Sequence, residues 1–178
     1  MKIQNEKYET TGETIVHIGV TLHRIKAIKT FGYVTAGALG GFISCEANLS
    51  ASGNAWVSDN ARVSDNARVS GNARVSGNAW VSGNAWVSGN ARVSGNAWVY
   101  GDALVYGDAH YITISPIGGE AGCLTAWVQK DGSIRFTRGC FYGTKAEFLA
   151  AVEKKHGKSS TARQYELCVA LVEERLKP

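Results

Sequence analysis

Apolar and polar positions recur along the middle of this chain with a period of six. A valine stands at residues 57, 63, 69, 75, 81, 87, 93, 99 and 105, and an alanine at every sixth residue from Ala55 to Ala109. Units such as Val57-Ser-Asp-Asn-Ala-Arg62, Val75-Ser-Gly-Asn-Ala-Trp80 and Val93-Ser-Gly-Asn-Ala-Trp98 repeat this pattern, and the same frame extends from Leu39 to His110 as twelve hexapeptides. Self-similarity at a fixed short period predicts a solenoid, and a six-residue unit predicts a parallel β-helix. Valine suits a short buried strand position because its stiff χ1 costs little there. Only a small side chain fits where the chain turns a tight corner, which accounts for the alanines. The Gly-Asn and Asp-Asn pairs supply residues that tolerate left-handed backbone angles. Asp59, Asp65, Asp102 and Asp108 take the place of those Gly or Asn residues, so they read as turn residues rather than catalytic acids.

This pattern of an aliphatic residue, a small residue, two variable ones, another small residue and a variable one resembles the hexapeptide-repeat family of left-handed β-helices. The resemblance implies three hexads per triangular coil and therefore four coils. The left hand comes from the resemblance alone, since general crossover statistics favour the right. With stacked strands about 4.8 Å apart, such a prism stands only ~20 Å tall. Residues eighteen apart then stack, and the sixth, outward position forms three columns. These are Trp56, Arg74, Arg92 and His110; Ser44, Arg62, Trp80 and Trp98; and Ser50, Arg68, Trp86 and Leu104. Tyr100 and Tyr106 join them from second positions on the later coils.

Outside the repeat the periodicity changes. Residues 1–12 are polar and predict a loosely ordered start. Val16, Ile18, Val20 and Leu22 alternate, which predicts one strand over Thr14–Leu22 with His17 and His23 on its exposed face. Arg24 to Phe31 continues as a second strand or a short turn, and residues 1–38 form an N-terminal β cap. Open β-helix ends expose strand edges that need such covers. The repeat occupies 39–112, where Cys45 falls on an inward position and reads as a small core residue. In 113–178, Gly118-Gly119 marks a linker, and Leu124–Gln129 and Ile134–Thr137 flank a hairpin turn at Lys130-Asp-Gly-Ser133. Thr144-Lys-Ala-Glu147 is a capping box opening a helix that stops at Gly157. A second helix follows Ser159-Ser160, with Tyr165, Cys168, Val169, Val172 and Leu176 on its apolar face. The fold class is thus mainly β: a short left-handed parallel β-helix of about four coils, an N-terminal β cap and a C-terminal ββαα module.

Composition narrows the function classes. A formal charge of +4 over 178 residues is mildly basic, too weak alone to imply binding of long nucleic acid. No apolar run reaches membrane-spanning length and the start lacks a signal-peptide pattern, so the expected home is the bacterial cytoplasm. Four cysteines, at 45, 123, 140 and 168, lack metal or disulfide spacing, so no metal or cofactor is expected.

The stretches Arg24-Ile-Lys-Ala-Ile-Lys-Thr-Phe31, Gly37-Ala-Leu-Gly-Gly-Phe-Ile43, the Gly-Asn-Ala repeats and Gly139-Cys-Phe-Tyr-Gly-Thr144 resemble small hexapeptide-repeat proteins encoded by bacteriophages and prophages. That resemblance implies a host-interaction role. In the wider superfamily the commonest activity is acyl transfer from acyl-CoA in clefts between the prisms of a trimer, with a His as general base. Here no loop interrupts the repeat and no His precedes His110 within it. A zinc site of the carbonic-anhydrase type needs three His on neighbouring coils, and the repeat offers one. Interleaved Arg and Trp on flat faces instead suit stacking on planar bases and pairing with phosphates, or packing between subunits. The sequence therefore points to a homotrimeric, non-catalytic binding protein that sequesters a nucleotide immune signal or blocks a host protein, with acyl transfer as the alternative. Arg62, Trp80, Trp98, Arg68, Trp86, Arg74 and Arg92 are the expected ligand contacts.

Overall fold

A computed structural model describes residues 3–107 and 109–176. The chain divides into two units, Met1–Asp108 and Ala109–Pro178. In the first, β1 (Tyr8–His17) and β2 (Val20–Ala27) form a hairpin, β2 pairs with β3 (Leu39–Ile43), and the repeat follows as two-residue strands. These are β4 (Trp56–Val57), β5 (Arg62–Val63), β6 (Arg68–Val69), β7 (Arg74–Val75), β8 (Trp80–Val81), β9 (Trp86–Val87), β10 (Arg92–Val93), β11 (Trp98–Val99) and β12 (Leu104–Val105). They stack in parallel as three ranks, β3-β5-β8-β11, β4-β7-β10 and β6-β9-β12, which makes a β-solenoid of about four turns.

The six-residue pattern produces this stacking directly. Each repeat valine and alanine from Ala55 to Val105 is at most 1 % exposed, so the valines fill the interior and the alanines close the corners. Each buried Val contributes about 1.5–3 kcal/mol. Outward residues donate their backbone N–H to the alanine carbonyl of the next coil, as from Arg62 to Ala79 at 2.9 Å. At the corners, side chains form ladders: Asn54 donates to Asn72 and Asn72 to Asn90, each at 3.1 Å, and Asn84 donates to Asp102 at 3.1 Å. Asp59 and Asp65 adopt φ near 56°, and their carboxylates accept from the Gly77 and Gly83 N–H groups one coil on, at 2.9 and 3.1 Å. These carboxylates serve the turns. Asp108 lies outside the described residues.

The first coil departs from the frame that the repeat suggests. Phe42 pairs with Arg62, Ile43 with Val63 and Leu49 with Val69, each twenty residues apart, whereas later pairs lie eighteen apart. Two extra residues therefore fall between Leu49 and Val57. Ile43 takes the inward place and Phe42 the outward one, while Leu39 is 61 % exposed. Gly41 takes the corner that alanine takes in later coils, where a Cβ would stand 2.5 Å from the Ala61 carbonyl oxygen. Cys45 is consequently a half-buried flank of the Glu46–Asn48 turn, not a core residue. Asn48, wholly buried, ties that turn down. Its side-chain Oδ1 accepts from the Ser44 and Cys45 N–H groups at 3.0 and 2.9 Å, and its Nδ2 donates to the Asp65 and Ala67 carbonyls at 3.0 and 2.9 Å.

The cap also differs from its sequence pattern. Thr14–Leu22 is not one strand but the two arms of a hairpin turning at Ile18-Gly19, both at positive φ. Val16 and Ile18 are exposed, and Leu22, Ile25 and Ala27 are buried instead. The start of the chain is well anchored rather than loose from Ile3 onward, since Ile3 and Tyr8 are buried. The Tyr8 hydroxyl donates to the Leu49 carbonyl at 2.9 Å, and burial pushes its pKa up to about 12.

The second unit is a four-stranded antiparallel sheet, β13 (Tyr111–Ile117), β14 (Gly122–Val128), β15 (Ile134–Arg138) and β16 (Phe141–Gly143), with α1 (Lys145–His156) and α2 (Ser160–Arg175). The expected hairpin is β14-β15, in register Leu124 with Arg138 through Val128 with Ile134. β13 and β16 extend the expected hairpin to four strands; the apolar residues of Tyr111–Ile117 suit a fading repeat as well as a strand. Thr144 caps α1 in a reciprocal box with Glu147, and the Ser159 hydroxyl accepts from the Ala162 N–H at 3.3 Å to begin α2. Phe136, Phe148, Val152, Tyr165, Val169 and Val172 form the core of this unit.

Candidate ligand-binding faces of the solenoid

The ranks place the outward Arg and Trp residues on three separate faces. The first carries Arg62, Trp80 and Trp98 in successive strands. Trp80 and Trp98 meet edge to face with ring centroids 5.2 Å apart, and the Trp80 indole N–H donates to the Ser64 hydroxyl at 3.3 Å. The cap hairpin adds a residue that the strand pattern had placed facing solvent. The His17 ring stands edge-on to Trp80 at 4.8 Å. Burial, helped by the nearby Arg62 charge, lowers the His17 pKa below the usual imidazole range. The Nε2 of His17 and the Nε of Arg62 are both buried without a hydrogen-bond partner.

The second face carries Arg68, Trp86 and Leu104. Trp86 is 51 % exposed, and the Arg68 guanidinium lies 5.9 Å from its ring centroid, at the outer reach of a cation–π contact. Tyr106, 53 % exposed, follows Leu104 by two residues.

The third face carries Trp56, Arg74 and Arg92. Trp56 does not project into solvent. It is 6 % exposed, covered by Phe31 at 5.4 Å and Tyr8 at 6.5 Å between ring centroids. Arg74 sits instead beneath Tyr33 of the cap, its guanidinium 4.1 Å from the ring centroid. A hollow of about 340 Å³ opens here, lined among others by Tyr33, Asn54, Trp56, Ser58, Arg74 and Ser76.

The seven residues expected to bind ligand thus do not converge on one site. Arg62, Trp80 and Trp98 stand together, Arg68 and Trp86 stand together, and Arg74 and Arg92 stand together. His17 and Tyr33 join the first and third groups from the cap, and the sequence held no signal for either, because both reach the solenoid by chain folding rather than by spacing. Chemically, each face offers an arginine beside an aromatic ring, which on the third face is Tyr33 of the cap. Among the described residues, no group of three or more His, Cys, Asp or Glu stands close enough to hold a metal ion. No helix among them is long and apolar enough to cross a membrane.

A family model described as the YdcK Beta solenoid repeat matches residues 55–71, 61–75, 67–83, 73–88 and 85–101. The match spans β4 to β11 and contains all seven outward Arg and Trp residues named above. It supports a β-solenoid repeat over this stretch. No curated protein matches the chain.

Proposed function

We propose that this protein is a non-catalytic binding protein of the small phage-encoded hexapeptide-repeat type, acting in a bacterial cytoplasm. Its solenoid faces take a planar anionic ligand of the nucleotide class, which it sequesters. The observation that carries this reading is the pairing of exposed indole surface with arginine on rigid ranks, above all Trp86 beside Arg68 and Trp98 above Trp80 and Arg62. Indole rings stack on bases, and guanidinium groups pair with phosphates. Exposed aromatic surface on this scale also marks interfaces between subunits. We therefore propose a homotrimer whose clefts bring two faces together around one ligand.

A thermal-shift panel of cyclic dinucleotides, cyclic oligoadenylates, ADP-ribose derivatives and acetyl-CoA tests this. A ligand at ~100 times its dissociation constant adds about 2.7 kcal/mol, enough for a shift of several degrees. A shift with a nucleotide that is recovered intact supports sequestration. Silence across the panel would sink the small-ligand reading and leave occlusion of a host protein. Light scattering at three times the 19.0 kDa chain mass tests the trimer.

His17 supports a second reading, acyl transfer from acyl-CoA. The His17 imidazole stands against Trp80 on a solenoid face, and burial lowers its pKa, which favours the unprotonated form that a general base uses. Turnover of acetyl-CoA that is lost in His17→Ala would select this reading over sequestration.

A further inference from the structure

The second unit has a cavity of its own, of about 440 Å³, that no part of the solenoid reading uses. That volume lies in the range of small-ligand pockets. Its apolar side is aromatic: Phe148 and Tyr165 are buried and meet edge to face at 5.6 Å, and Phe141 stacks obliquely on Phe148 at 5.2 Å. Its polar side is cationic, formed by Arg138 and Lys155, with Glu120 as the counter-charge.

Arg138 is held in place. Its side chain is 16 % exposed, its Nε donates to the Tyr165 hydroxyl at 3.0 Å, and an Nη donates to the Ile117 carbonyl at 3.4 Å. Two glycines make room for this pair. A Cβ at Gly122 would run into the Arg138 guanidinium, and one at Gly118 would run into the Tyr165 hydroxyl. Glu120, by contrast, is held loosely. It is 71 % exposed, and its two oxygens lie 3.7 Å from Arg138 and 3.4 Å from Lys155. Exposed ion pairs at such distances contribute little. An exposed carboxylate resting between two cations at the mouth of an aromatic cavity occupies the place that a ligand's anionic group would take.

We propose that this cavity binds a small planar aromatic compound bearing a phosphate or carboxylate, which displaces Glu120 from Arg138 and Lys155 and lays its ring against Phe141, Phe148 and Tyr165. Cys140 lines the same cavity and is exposed, so its thiol reports occupancy. Burial raises the thiol pKa of Cys123 and Cys168, which slows their competing reaction.

The experiment follows iodoacetamide alkylation of Cys140 in the full-length protein by peptide mass mapping. The probes are phenyl phosphate, benzoate, inorganic phosphate and phenol, each at millimolar concentration. Phenyl phosphate or benzoate should slow Cys140 alkylation several-fold and leave Cys45 unchanged, and whichever of the two protects better identifies the anionic group. Inorganic phosphate and phenol should protect weakly, since each supplies half of the recognition. Glu120→Gln should lower the protecting concentration about threefold by removing the internal competitor, and Lys155→Met should raise it by a similar factor. Both positions are exposed, so neither substitution threatens the fold. Absence of protection in both the wild type and Glu120→Gln overturns the proposal. Equal protection by inorganic phosphate or phenol overturns it as well, as do variants indistinguishable from wild type.

Discussion

Lys7 provides the sharpest test of how the cap is held on the solenoid. Its side chain is wholly buried, its ammonium donates to the Ser50 carbonyl at 3.0 Å, and it lies 4.7 Å from the Phe31 ring centroid. Burial first, and the nearby Lys29 charge second, lower its pKa from 10.5 to about 8. Below that value both folded and unfolded chains carry the proton, and the native state bears the cost of burying the charge. As pH rises from about 8 toward 10.5 the native lysine releases its proton while the unfolded one keeps it, so stability rises with pH across this window. At 1.36 kcal/mol per pH unit the full effect is roughly 3 kcal/mol, and about 2 kcal/mol after allowance for solvent screening. Lys7→Met keeps the length and removes the titration. It also leaves the Ser50 carbonyl without this donor, an offset of about 1–3 kcal/mol that hardly varies with pH. The quantity to measure is therefore the stability of wild type minus that of Lys7→Met, by urea unfolding read from tryptophan fluorescence. Trp56, which touches Phe31 and Tyr8, reports on this part of the fold. The difference should grow by about 2 kcal/mol between about pH 7 and pH 10. Tyr8, with its pKa at about 12, lowers stability above about pH 10 in both proteins and so cancels. A difference that stays constant across the window would refute the account of a buried, charged Lys7.

Three further outcomes follow from the packing. Asn48→Ala should destabilise the first unit by about 3 kcal/mol or more in chemical denaturation, because it strands several buried backbone groups at once. Gly77→Ala should cost more than Gly95→Ala by about 1 kcal/mol: both sit near φ 66–67°, but only the Gly77 Cβ meets the next coil, at 3.0 Å from the Gly95 nitrogen. Equal losses would show that backbone angle alone sets the cost. Trp86→Ala should leave the melting temperature nearly unchanged, since the side chain is 51 % exposed, while abolishing the thermal shift caused by any nucleotide found in the panel.

Much of this architecture is legible in the chain itself. Valine at every sixth residue, alanine two positions before it, and Gly, Asn or Asp between each valine and the next alanine specify strand, corner and turn locally, and each coil repeats the instruction. The stacking of Arg62 on Trp80 and of Arg68 on Trp86 follows from the six-residue spacing once the resemblance supplies three hexads per coil, because a closed coil of eighteen residues returns the chain to the same face. Both helices announce themselves through their caps, Thr144 with Glu147 and Ser159.

The tertiary structure decided what no period encodes. Val16 and Ile18 alternate as core residues would, yet a turn at Ile18-Gly19 sends the chain back, leaving them exposed and setting His17 against Trp80. Two extra residues between Leu49 and Val57 put the first coil out of frame, so Ile43 rather than Cys45 faces inward. Trp56 shares an outward column with Arg74, but Tyr8 and Phe31 fold over it, and Tyr33 covers Arg74 in turn. Periodic positions are set by neighbours a fixed distance along the chain, so the sequence by itself determines them. Contacts such as Tyr8 with Leu49 join residues 41 apart without any repeat between them. Only the folded chain, by bringing particular surfaces into contact, determines which outward residues are covered and which stay open.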